Sequence, residues 1–532
     1  MFCFRWLAEP LEKLGWCALA CLLVLLTSRY SWSEVCFSRA FAASAGADNL
    51  TVAFDARPRT VDPRFVSTDA NSQYLEPLLF LPLFGFSESG LPQGVVAESY
   101  AYQDAKTLVV KIRRGIRFRL GREIDAEDVV ATYQFILGQS GLPLPSSPRR
   151  GSFERVTSVS KVSPVEVKFT LSEPDASLVS NLVVGIVPKE AVALPPDGVF
   201  ADKGYESGPF LLESMGDIDW VLLRNEKYTG APFGGAFPAL KKIVFKILTD
   251  NNTRYAALLK GDVDLVQNAL DNDKISEITS KRSAAFDVQL RTSDSTAFLA
   301  FNLKNKLLSD VRVRRAIGLA INRDEILRFT LQGLGQVANS MFPPGHEYHF
   351  ENPKALNFNP REAETLLDAA GLPDPDGPKG KKERASFTIT VPLNRERIAV
   401  AKAIAGQLKN VGLKVKVEVL EFNAFMKHLN DGNMQAWIAP WTGYKDGDHL
   451  HFVFHSARLP PMGANRGFYV NKNLDKLLDD AKSEANHVAR KTNLPYVFLW
   501  HRVGHVVTNK AVSGFKIFSD GRYSSLTTTQ KR

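Results

Sequence analysis

Hydrophobic and polar positions alternate in two distinct rhythms along this chain. In DVRVRRAIGLAINRDEI (Asp310 to Ile326), Val313, Ala316, Ile317, Ala320 and Ile321 follow the i, i+3, i+4, i+7, i+8 spacing of one buried helical face. Asp310 suits the N-cap of that helix, and Asn322 with Glu325 three positions on reads as the capping box of a second. The stretch predicts two helices joined by a tight corner, with Arg312, Arg314 and Arg315 on a solvated face. Thr107 to Phe118 alternates instead at period two, a strand with a turn at Gly115, and NLTVAFDARPRTVDPRF is a strand running into a loop at Asp62-Pro63. DAEDVVATYQFIL starts a helix, with Asp125 as N-cap and Asp128 at the third helical position. DNNTRYAALLKGDVDLV is a capped helix that stops at Gly261 and turns at once into a strand. REAETLLDAAGL and AVAKAIAGQLKNVGLKVKVEVLEF repeat that order of helix, glycine and strand. SGPF (Ser207 to Phe210) sits between two such regions as a crossover turn. Interleaved helices and strands of this kind predict an α/β fold with mixed sheets.

Length and charge narrow the class. A chain of 532 residues is too long for one ordinary core and divides into two or three domains. Its 45% hydrophobic and 23% charged composition is that of a soluble globular protein. Residues 1–45 differ: Leu14 to Leu26 is an apolar run too short to span a bilayer but suited to a signal peptide. Small residues follow at Ala40 to Ala45, so export is expected, with an uncleaved anchor as the alternative. Cys3, Cys17, Cys21 and Cys36 all lie in this leader, which excludes disulfides, thiolate metal sites and a cysteine nucleophile from the rest. The net charge of +9 is spread along the chain, and only KGKKER (Lys379 to Arg384) is dense, as a solvated hairpin loop. No basic stripe with interleaved aromatics is present, so nucleic acid is not an expected partner.

Seven further pieces stand in a telling order. They are TVDPRF; GVVAESYAYQDAKTLVVKIRRGIRFRLGREIDAEDVVATY; YESGPFLLES with LLRNEKY; ALLKGDVDLV; AFNLKNKLLSDVRVRRAIGLAINRDEI; REAETLLDAAGL; and QLKNVGLKVKVEVLEFNAF. Together they resemble the family 5 extracellular solute-binding proteins, the peptide- and nickel-type receptors of ABC importers. The resemblance implies a bilobal periplasmic binding protein-like fold (type II, three-segment), with mixed sheets and a ligand cleft between lobes that close about a hinge. It divides the chain into a signal peptide (1–45), domain I (46–86, 204–291 and 495–532), domain II (87–203) and domain III (292–494). It also implies a monomer in the periplasm that takes a peptide or peptide-like solute to membrane permease subunits, the alternatives being a metal chelate or oligosaccharide as ligand, or a sensory or chaperone-like binder that uses the same fold without transport. No enzyme activity, cofactor or resident metal is expected.

In peptide-binding members a segment resembling Ala439 to Phe452 lines the pocket, which points to Trp441, Thr442, Gly443, Tyr444, Asp446 and Asp448. The residue before Tyr444 is Gly443 where those members carry an aspartate that pairs with the ligand's ammonium, leaving Asp446 or Asp448 to serve. The loop from Phe65 to Ala70, with Thr68 and Asp69, resembles the segment that lends main-chain groups to an extended ligand. Trp437 reads as a core residue. Outside this frame, His449, His451 and His455 in HLHFVFH could share a metal, although histidines spaced by two on a strand or loop are more often plain surface residues. His501 and His505 lie in a strand-like alternation that keeps them apart, and HEYH (346 to 349) is one residue short of the zincin motif. Ser158-x-x-Lys161 fits the SxxK pattern but has no KTG partner. Arg490 reaches Pro495 within five residues, where the family usually carries a helix.

Overall fold

The computed structural model describes residues 48–66, 69–88, 90–175, 177–200, 204–228, 237–344, 346, 349, 356–377, 382–442, 448–460, 463–484 and 495–532. The leader and the region around Arg490 therefore lie outside the described residues.

Strand β1 (Asn49–Phe54) leads to helix α1 (Ala70–Leu79) and a hairpin of β2 (Phe84–Phe86) and β3 (Pro92–Gly94). A separate four-stranded sheet follows: β4 (Ala97–Asp104), β5 (Thr107–Ile112), β6 (Val156–Ser163) and β7 (Glu166–Leu171), in the order β4-β5-β7-β6. Helix α2 (Ala126–Leu137) packs on it. Asp125 and Asp128 form the expected capping box, and Gly138 ends the helix in the left-handed conformation. This inserted unit has its own core, from Leu83 and Val110 to Phe153 and Phe169.

A buried ion pair fastens the loop after β1 to the end of this insert. Arg64 and Asp62 are fully buried and joined by two hydrogen bonds of 3.0 and 2.6 Å. The rest of the Arg64 guanidinium donates to the carbonyls of Val192 (2.6 Å), Leu194 (2.9 Å) and Pro195 (3.3 Å). One planar cation thus ties the VDPRF loop to the segment leaving the insert.

The other strands of the main sheet are β8 (Phe210–Met215), β9 (Asp219–Arg224), β10 (Lys242–Ile247), β11 (Leu265–Gln267), β12 (Phe286–Phe301), β13 (Gly335–Val337), β14 (Ala385–Pro392), β15 (Leu413–Leu420), β16 (Ala436–Thr442) and β17 (Tyr496–Asn509). With β1 they make an 11-stranded mixed sheet, ordered β15-β14-β16-β12-β17-β11-β1-β10-β9-β8, with β13 added to β17. Strands β12 and β17 run through both halves of it. Phe286 to Thr292 pairs with Asn509 to Val503, and Thr296 to Ala300 pairs with His501 to Tyr496. The register shifts between Thr292 and Thr296, an irregularity of the kind that bends strands. On one side of it lie the cores around Phe245 and Leu258; on the other lie those around Ile317 and Trp437.

The paired helices of the second half form as their pattern requires. They are α3 (Val311–Leu319), capped by Asp310, and α4 (Arg323–Phe329), capped by Asn322. Arg312 is exposed, but Arg314 is not on a solvated face: it is buried and donates to the carbonyls of Leu308 (3.0 Å) and Ser309 (2.8 Å). Arg323 is buried as well, bonded to the carbonyls of Phe498 (3.0 Å) and Leu356 (2.8 Å). The buried arginines of this stretch are scaffold, because one guanidinium with five donors satisfies several carbonyls at once. Arg384 departs from the expected solvated loop in the same way, its buried side chain pairing with Asp368. Among the described residues no helix is long and apolar enough to cross a membrane.

Candidate functional site

Three parallel strands set up the site. β14 pairs with β15 on one side and with β16 on the other, all parallel. Helix α5 (Arg395–Lys409) joins β14 to β15, and α6 (Phe422–Asn430) joins β15 to β16. Val400 and Ile404 of α5 pack in the core on one face of the sheet, while Phe425 and Leu429 of α6 pack in the core on the other. Connections that leave opposite faces open a crevice beyond the carboxyl ends of the strands, where ligands of open α/β sheets bind.

A cavity of about 260 Å³ lies there. Its walls come from the first turn of α5 (Arg397), from α6 (Phe422, Phe425), from β16 (Trp437, Trp441), and from Phe298 and Tyr496 on the long strands. Period two along β16 puts Trp437, Ala439 and Trp441 on the same face. Trp441 stacks on Phe298 at 5.9 Å and meets His449 edge-on at 4.9 Å. Phe298 in turn lies nearly parallel to Tyr496, 4.2 Å away. Burial pushes the Tyr496 hydroxyl well above its usual value and His449 down to about 4, so both are neutral at pH 7.

Two cations interrupt this aromatic wall. Arg466 donates to Asn430 Oδ1 (2.9 Å) and its guanidinium sits 5.6 Å from the Trp441 ring. Arg397 has no carboxylate within ion-pair distance among the described residues, and burial and then Arg502 hold its pKa below the usual value. Burial lowers Arg466 likewise. Arginine stays charged under such shifts, so the cavity presents two under-solvated cations among apolar surfaces. That combination suits a ligand with a carboxylate beside an apolar group.

The sequence-derived residues fall in different places. Trp441 lines the cavity, and Thr442 is exposed at the end of β16 opposite Ser295. Asp448 begins helix α7 (Asp448–Phe454). Gly443, Tyr444, Asp446 and Thr68 lie outside the described residues. Asp69 is the N-cap of α1, and its carboxylate also accepts from the backbone N–H of Arg59 (2.9 Å), so it is committed to local structure. Trp437 is buried in the core, although one edge reaches the cavity. Arg397, Arg466, Phe298 and Tyr496 were missed by sequence reasoning. They stand far apart along the chain, and beyond Trp441 the one local signal that could have led to this wall is the Phe422-Phe425-Leu429 stripe of α6.

HLHFVFH is helical, not a strand or loop, and this brings His451 and His455 together with their rings stacked at 4.4 Å. Asp479, on helix α8 (Lys472–Glu484), faces both Nε2 atoms at 3.2 and 3.4 Å. The three could enclose a metal on distance alone. Their outer contacts are of the wrong sign. The backbone N–H of Ala457 donates to His455 Nδ1 (3.0 Å), and Arg458 Nε donates to His451 Nδ1 (3.4 Å). Both protons therefore sit on Nε2 and point at Asp479, whereas a metal there needs Nε2 lone pairs and acceptors behind Nδ1. The trio clamps two helices.

Comparison with known proteins agrees with this architecture. The description of the bacterial extracellular solute-binding proteins, family 5 Middle, matches residues 92–457. The chain belongs to family 5. It is similar to the oligopeptide-binding protein AppA of Bacillus subtilis, 28% identical over 484 residues, covering 85% of this chain and 86% of AppA. It is also similar to the dipeptide-binding protein of Escherichia coli, 24% identical over 529 residues, with 91% and 94% covered. Among solved structures, AppA from Bacillus subtilis in complex with a nonapeptide superposes with a TM-score of 0.70 at 25% identity, covering 91% of this chain and 99% of that one. NikA from Brucella suis in complex with Fe(III)-EDTA superposes with a TM-score of 0.78 at 20% identity, covering 91% and 100%. The fold is accordingly the bilobal one of family 5, a family of transport binders.

Proposed function

We propose that this family 5 protein is the exported substrate-binding component of an ABC importer, that it captures a peptide-like solute carrying a carboxylate next to an apolar group, and that it is not an enzyme. The cavity carries this reading: two under-solvated arginines set among Trp441, Phe298 and Phe422 at the carboxyl ends of parallel strands. Its volume, about 260 Å³, takes one large side chain or a chain end and not a whole oligopeptide, so it is one subsite of a longer cleft. The peptide ligands of the named relatives support the same solute class. Lobes 46–291 and 292–494 would move about the break at Thr292 to Thr296, with 495–532 returning to the first, and the complex with the permease would be formed by a monomer. Asp446 and Asp448 are left to meet any ligand ammonium, because Gly443 has no side chain for it.

A thermal-shift screen tests the solute class. Free and N-acetylated peptides of two to nine residues, their C-terminal amides, oligosaccharides and nickel chelates would be compared, since a ligand at 100 times its Kd adds about 2.7 kcal/mol of stability. Peptide acids should stabilise and the matching amides should not. Trp441→Ala should weaken the best peptide by about 1–3 kcal/mol, and Arg397→Gln by a similar amount. Equal response to acids and amides would refute the carboxylate, and a response confined to nickel chelates would replace the peptide reading.

Export has its own test. The leader should be absent from protein recovered from the periplasm, whose first residue should be near Ala43 or Gly46. An intact Met1 chain confined to the cytoplasm would overturn the localisation.

A further inference from the structure

Glu154 and Arg458 are 304 residues apart in sequence and 3.0 Å apart in space. Glu154 caps the turn after Phe153, which is buried in the core of the inserted four-stranded unit. Arg458 follows α7, whose Leu450, Val453 and Phe454 belong to the core around Trp437. The two side chains therefore stand on units with separate cores, joined through the irregular ladder of β12 and β17. Among the described residues this is the one ion pair between residues 97–171 and 292–484.

Arg458 is held for that contact. Its backbone N–H bonds to the His455 carbonyl (3.0 Å), and its carbonyl accepts from Asn465 N–H (2.8 Å). Gly463 packs directly on it: a Cβ there would come within 2.5 Å of the Arg458 carbonyl oxygen, so only glycine allows the approach. His451 Nδ1 accepts from Arg458 Nε, which leaves Nη2 to reach Glu154. His451 is fixed in turn by Asp479. The helix that carries His451 begins at Asp448, directly after the segment 443–447 that follows Trp441 and the cavity. A physical chain thus runs from the edge of the candidate site through α7 to a charge pair across the lobes.

We propose that Glu154 and Arg458 are an interlobe latch that forms on closure and sets the closed fraction of the receptor, with His451 as the residue that positions Arg458. The latch rests on lobe closure and not on which solute is bound. A contact made only in the closed state favours that state by the whole of its own free energy, and apparent affinity scales with the closed fraction. Half-exposed ion pairs are weak, so the effect is a tuning of about 1.5–5-fold that salt should remove.

The test measures closure without a ligand. Spin labels would be placed on Val162→Cys in the insert and Val470→Cys in the other lobe, both exposed, after Cys3, Cys17, Cys21 and Cys36 are changed to serine. Distance distributions should show the open-to-closed ratio rising about 1.5–5-fold in Glu154→Gln and in Arg458→Gln. The double variant should match either single one, and Glu154→Arg with Arg458→Glu should return the ratio towards the starting value. Moving from 0.05 to 0.5 M NaCl, roughly from 14 to 4 Å in screening length, should open the original protein and leave the variants unchanged. His451→Ala should open it, while His451→Asn, which can still accept from Arg458, should not. Distributions identical across the series, or single-variant effects that add in the double variant, would overturn the latch. A drop in melting temperature with unchanged distances would also overturn it, marking an ordinary surface pair.

Discussion

Arg64→Ala should destabilise the protein by about 3–5 kcal/mol, the largest effect expected of any single change considered above. The side chain is fully buried, pairs with an equally buried Asp62 and donates to three carbonyls of the segment from Val192 to Pro195. Removing it takes the charge partner from a fully buried carboxylate and leaves the buried Val192 carbonyl without its donor, while the Pro195 carbonyl, on an exposed residue, still accepts from the Gly198 N–H (2.9 Å). Phe65 and Phe135, whose rings lie 5.0 and 5.3 Å from the guanidinium, would border the resulting hole. Arg64→Lys should recover little, because an ammonium cannot span the carboxylate and the carbonyls in one plane. Denaturant unfolding at pH 7 gives the answer directly. A loss below about 1 kcal/mol with an unchanged slope would show that water or a shifted loop replaces the cation.

Acidification comes second. His501 and His505 are 1% and 7% exposed on β17, and burial holds both down to about 4. The hydrogen bonds agree with neutral rings. Thr296 Oγ1 donates to the Met341 carbonyl (2.6 Å), so His501 Nδ1–H donates to Thr296 (2.7 Å). His505 Nε2 accepts from the Leu270 N–H (3.4 Å) and would oppose it if protonated. The folded state then binds fewer protons than the unfolded one wherever the pH lies between about 4 and 6.5, so stability is lost as the pH drops through that window. Each ring should account for about 2 kcal/mol of loss by pH 5, about 4 kcal/mol for the pair, while above pH 6.5 the effect should vanish. Denaturation midpoints of the original protein and of His501→Gln and His505→Gln at pH 7, 6 and 5 decide it. A full pH slope surviving in both variants would place the acid sensitivity elsewhere.

These two expectations show what kind of information the sequence lacked. The caps at Asp125, Asp310 and Asn322 were legible, because a cap is made within three residues of itself. The strand reading of FLWHRVGHVVTN held for the same local reason, since period two needs no partner to be seen. HLHFVFH failed that logic. Its alternation resembles a strand, yet Leu450, Val453 and Phe454 are buried together by packing on the core around Trp437, and that packing makes the segment a helix. Arg314 and Arg384 were misplaced because charge alone argues for solvent, and only the fold supplies the carbonyls and carboxylate that allow their burial.

By itself the sequence determined the class of fold, several of its capped helices and alternating strands, and the family, for these rest on short-range periodicity, capping and motif order. It also pointed to Trp441, from a single resembling segment. Only the tertiary structure decided that Trp441 faces Phe298, Arg397 and Arg466, that His451 and His455 share Asp479, and that Arg458 reaches Glu154. Each of these depends on which strands become neighbours and which helices cross which face of the sheet. That choice is made by the burial of whole faces and not by any residue's near neighbours in the chain.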